Sequence, residues 1–118
     1  MKDIRLKQRT FTVAGKEYSL VCNMNVLAEV QEQCGGKLSA ALNSASSVKT
    51  SLLFAAAMVN ECADFNGWSE RYTAKELGRI VPPSELTALV ELVSDLLFSA
   101  LGADGSDSSG PGEGSEKN

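Results

Sequence analysis

A mainly α chain of the α+β class, with an N-terminal β-hairpin leading a small bundle of about four helices, is the fold this sequence predicts. Three observations carry it. Short β-rich runs flank Ala14-Gly15-Lys16; apolar residues recur every three to four positions in several stretches after residue 23; and helix caps stand at the starts of most of those stretches. The domain is expected over residues 1–102. Residues 103–118, "ADGSDSSGPGEGSEKN", carry no large apolar side chain to offset the entropy of ordering and are expected to form a flexible tail.

Taken in order, Ile4 to Val13 and Lys16 to Val21 are expected as strands, with Phe11 and Val13 sharing a face in the first and Tyr18 and Leu20 in the second. Gly15 supplies the positive φ that a tight turn asks for. A lone two-stranded ribbon is marginal in water, so its apolar face must rest on helices or on another copy. Asn23 stands at an N-cap position, and Val26, Leu27, Val30 and Cys34 follow at helical spacing until Gly35-Gly36 ends the helix. "KLSAALNSAS" predicts a weak helix or turn.

Ser46 or Ser47 is expected to cap the central helix, which runs to about Phe65 and stops at Asn66-Gly67. Its apolar stripe is Leu52, Leu53, Ala56, Val59 and Ala63. Ala55-Ala56-Ala57 favours helix and would also let another backbone approach closely. Thr73 and Glu76 have capping-box spacing, opening a helix with Leu77, Ile80 and Val81 that Pro82-Pro83 closes. Ser84 is expected to cap the last helix, with Leu86, Leu89, Val90, Val93, Leu96, Leu97 and Ala100 on its apolar side and Gly102 at its end.

Composition narrows the function. The formal charge is −4, and three of those negative charges belong to the tail, so the body is close to neutral. Lys2, Arg5, Lys7 and Arg9 make the N-terminus basic, but without aromatic interleaving or a reading helix no nucleic-acid partner is expected. The chain has no histidine, and Cys22, Cys34 and Cys62 are not spaced as metal ligands, so neither a metal nor another cofactor is expected. The longest apolar run, Leu52 to Val59, is too short for a bilayer span. Three cysteines, odd in number and widely spaced, suit a reducing cytoplasm. Cys22, ahead of a helix, is the best-placed nucleophile, yet it too reads as a small core side chain. Glu29 with Glu32 and Glu91 with Asp95 lie opposite the apolar stripes and read as solvated faces. Catalysis is not expected.

Apolar surface is the remaining feature. The last helix carries a wide stripe whose margins include Leu92 and Phe98. Leu52, Phe54 and Met58 on the central helix, with Leu92 and Phe98, are the candidate partner-binding positions, each of which also reads as core.

The succession "GKEYSL", "NVLAEVQEQCGG", "ADFNGWSE" and "TAKELGRIVPPSELTALVELVSDLL" resembles the tail assembly chaperones of long-tailed, non-contractile phages and prophages. The likeness covers roughly residues 10 to 101. It implies a cytoplasmic protein of the bacterial host that binds the tape-measure protein and keeps it soluble during tail tube assembly. Members are absent from the mature virion, are often made in a second, frameshifted form, and some self-associate; none is an enzyme or uses a cofactor. Hairpin edge or helix faces would serve self-association. Alternatives are another tail component, of the tube or terminator type, which would be rich in strands, and a helical nucleic-acid-binding regulator using the basic N-terminus.

Overall fold

The computed structural model describes residues 9–102; the expected strand start at Ile4, the basic residues before Arg9 and the expected tail lie outside the described residues. Strands β1 (Arg9–Val13) and β2 (Lys16–Leu20) form an antiparallel hairpin. Five α-helices follow: α1 (Met24–Gln33), α2 (Leu38–Asn43), α3 (Val48–Asn66), α4 (Ala74–Ile80) and α5 (Leu86–Ala100). Helix accounts for 64% of the described residues, so the mainly α reading holds, with a single hairpin as its β part.

Val13 pairs with Lys16, so the turn consists of Ala14 and Gly15 alone, and Lys16 is already in β2. Both turn residues have positive φ, 51° and 81°. That is the pattern of a type I′ turn, whose twist suits a hairpin, and alanine is a poor occupant of its first position. Ala14→Asn is therefore expected to stabilise the domain by about 0.5–1 kcal/mol, seen as a rise of a few degrees in thermal midpoint. An unchanged or lower midpoint would contradict this account of the turn.

Val13, Tyr18 and Leu20 point inward and are buried, with Phe11 half-buried opposite Tyr18. This face rests on the helices, β2 lying against α3 and Arg9 pairing with Asp95 of α5. Trp68 covers the other end: its ring meets Tyr18 edge-on at 5.5 Å, and the Lys16 ammonium sits 4.3 Å above it.

Asn23 caps α1 by accepting from the Val26 amide at 3.0 Å. The weakly helical stretch after Gly36 becomes α2, which buries only Ala41. Ser47 proves to be the cap of α3, accepting from Thr50 N at 3.1 Å, and Gly67 in the left-handed region ends it. The capping box of Thr73 and Glu76 is present in both directions. Ser84 does not cap α5. Pro83 begins a 3-10 turn, Pro83–Glu85, that runs straight into α5, and no side chain caps the helix. A proline in that first turn has no N–H to satisfy, which removes part of the need for a cap.

The larger correction concerns α3. A single apolar stripe was expected, but every residue from Phe54 to Val59 is buried. α3 is the hub of the molecule, touched by β2, α1, α4 and α5. Ala55, Ala56 and Ala57 make this possible, because small side chains leave room for neighbours on several sides of one helix. The two buried hydroxyls on its first turn are satisfied locally: Thr50 by Ser44 at 2.9 Å, and Ser51 by donating to Ala45 O at 3.1 Å.

Candidate functional site

The five candidate positions separate by burial. Phe54 and Met58 are fully buried in the hub, so neither presents a surface to a partner in this fold. Leu52 is half-buried, with its Cδ1 3.3 Å from where a β-carbon on Gly78 would sit; it is used in joining α3 to α4. Leu92 is a core residue rather than a margin one, because α5 turns that side toward the hairpin and exposes only its edge. Phe98 alone is exposed, at 53%, with Leu101 three residues further on also exposed. Periodicity missed two more: Phe65 at 81% and Met24 at 77% are the most exposed large apolar side chains described. Phe65 falls one turn after Glu61, which Asn23, the cap of α1, and Asn25 hold at 2.9 and 3.1 Å, so Phe65 and Met24 lie toward the same end of the α1–α3 pair.

Two open troughs stand out among the described residues. The first, about 820 Å³, runs between β1 and the start of α5 and is lined by Phe11, Ile80, Val81, Pro82, Ala88 and Leu92, with Arg9 and Glu85 at its margins. Among the described residues β1 pairs only with β2, so this trough borders the far edge of the hairpin.

The second, about 720 Å³, lies over α3 between α1 and the 71–76 segment. Its floor is Leu53, Ala56, Ala57 and Asn60, spaced i, i+3, i+4, i+7 on one helix face. Asn25, Glu29 and Gln33, at successive turns of α1, form one wall; Tyr72 to Glu76 form the other. Asn60 fixes that second wall, donating to Tyr72 O and accepting from Tyr72 N, each at 2.8 Å. Glu29, Glu61, Asp64 and Glu76 face Arg71 and Lys75 around the rim, four carboxylates against two cations. Arg71 pairs with Asp64, leaving three carboxylates with only amide partners or the capping box.

No group of three or more metal-ligating side chains occurs among the described residues. All three cysteines are free, Cys22 and Cys62 buried and Cys34 half-buried. Burial pushes the Cys22 thiol up to about 11, so it is protonated at neutral pH and poorly suited to nucleophilic attack. Alkylation of the folded chain is expected to strike Cys34 first, with Cys22 and Cys62 reacting only when urea opens the core; mass spectrometry of a timed iodoacetamide series reads the order. Early modification of Cys22 would contradict its placement. The same shift makes stability pH-dependent. The unfolded thiol ionises from about 9 and the folded one at about 11, so stability is full below pH 9 and declines as pH rises toward 11. Tyr18, raised chiefly by burial and then by neighbouring Tyr72, acts in the same direction.

No helix among the described residues is long and apolar enough to cross a membrane. Set against family models, curated proteins and solved structures, the chain matches none.

Proposed function

We propose that this chain is a tail assembly chaperone of a phage or prophage, acting in the host cytoplasm to bind a tape-measure protein and keep it soluble while the tail tube assembles. The observation that carries the reading is apolar surface left open by a small helical domain: the trough beside β1 and the side chains of Phe98, Phe65 and Met24. Burying one such side chain is worth roughly 1.5–3 kcal/mol, and a holdase needs this kind of surface for segments that would otherwise aggregate. The resemblance of the sequence over roughly residues 10 to 101 supports the same reading. Strand content weighs against a tube or terminator subunit, since β1 and β2 are the only described strands.

Co-expression with the tape-measure protein encoded nearby tests it. The expected result is soluble tape measure that co-elutes with this chain from a sizing column. Tape measure that precipitates both with this chain and with a longer, frameshifted form would overturn the reading.

A further inference from the structure

The trough over α3 differs in chemistry from the surfaces just described. Its floor has two small side chains at its centre, its length follows one helix face, and its rim is acidic. From Leu53 to Asp64 the lining residues climb about three turns of α3, or ~16 Å at ~1.5 Å per residue.

An extended peptide is a poor occupant. It would need free backbone groups to pair with, and the Tyr72 N–H and C=O on the wall are both taken by the Asn60 side chain. Thr73 N–H is likewise held by Glu76 at 2.8 Å. An incoming chain must therefore satisfy its own hydrogen bonds, which a helix does. Ala56 and Ala57 keep the floor low, and because both are buried at the bottom of the trough, an incoming helix reaches them with the side chains of its seam.

Charge decides what kind of helix. Arg71 is taken up by Asp64 and Lys75 stands beside Glu76, so the surplus of negative charge falls on Glu29 of the α1 wall and on Glu61, which Asn23 and Asn25 hold in place with neutral amides. A helix lying between those walls gains from Lys or Arg on the flank that faces α1 and Glu61, and from small or medium apolar residues along its seam. We infer that this trough docks one amphipathic helix of about three turns with a basic flank toward α1, supplied by the client protein. That the client is the source rests on the holdase reading above; the chemistry of the trough does not.

The test is titration of the full chain into two labelled 15-residue synthetic helices that share an Ala- and Leu-containing seam, one flanked by Lys and Arg and the other by Glu, followed by fluorescence anisotropy. Backbone amide shifts map the site. The expected result is binding of the basic peptide alone, with shifts at Leu53, Ala57 and Thr73. The double variant Glu29→Gln, Glu76→Gln is expected to weaken it roughly 5- to 10-fold, as rim charges of this exposure do, and glutamine still completes the capping box. Ala57→Leu, which raises the floor, is expected to abolish binding without changing the charge; should it fail to fold, Leu53→Gln replaces it. Equal binding of both peptides, binding of neither, or shifts that map elsewhere would overturn the assignment. In the co-expression assay, an Ala57→Leu chain that folds and still solubilises the tape measure would sink the trough as the client's dock and spare the holdase reading. If the wild-type chain solubilises nothing, the holdase reading fails and the peptide titration still decides the trough.

Discussion

Phe54→Ala is expected to remove about 3–5 kcal/mol of folding stability. A domain of this size holds only ~5–15 kcal/mol, so the variant would be close to unfolding at ambient temperature. The size of the effect follows from where Phe54 sits. Its side chain is fully buried on a helix touched by four other elements, and the neighbouring Ala55 and Ala57 have no reach with which to fill a cavity. Urea unfolding would show a lower midpoint with an unchanged slope. A partner-binding phenylalanine would behave in the opposite way, and Phe98 provides the comparison. Phe98→Ala is expected to stay within about 0.5–1 kcal/mol of the parent chain while reducing the soluble fraction of the client. Were Phe54→Ala as stable as Phe98→Ala, the placement of α3 as the hub would be wrong.

Asn60→Ala is expected to cost about 2–3 kcal/mol. Its amide meets both backbone groups of Tyr72 at 2.8 Å, and alanine would leave an N–H and a C=O in a half-buried setting with no protein partner. Because Asn60 is not fully covered, water can reach part of the gap, which keeps the loss near the lower end of the range for two unsatisfied groups. The damage should be local as well as global. The 67–73 connection carries Trp68 onto Tyr18 and Lys16, and it forms a wall of the trough. Hydrogen exchange is therefore expected to speed up at the Tyr72 amide before the amides of α3 are affected. Unchanged protection at Tyr72 would show that Asn60 does not hold this segment.

Features with partners a few residues away were legible in the sequence. Asn23, Ser47 and the Thr73–Glu76 pair each cap within three residues, and Gly67 ends α3 one residue after Asn66, as expected. Ser84 failed because two prolines before it change what the helix start requires, a competing local rule. The trough was not foreseen. Asn60 carried the available signal, a polar side chain just after the Ala56–Val59 run, but its partner Tyr72 is supplied by a loop whose path no periodicity reveals.

Element types and most of their ends were determined by the sequence alone, since caps, turns and helical spacing are short-range hydrogen-bonding and steric facts. Only the tertiary structure decided how many sides of α3 are covered. Four other elements meet α3 there, and the alanines that admit them look from sequence like ordinary helix formers. For the same reason Phe54 and Met58 became core, Leu92 turned inward, and Phe98 stayed at the surface. Burial is a property of what arrives from elsewhere in the chain, and amphipathic spacing records only which side chains would benefit from it.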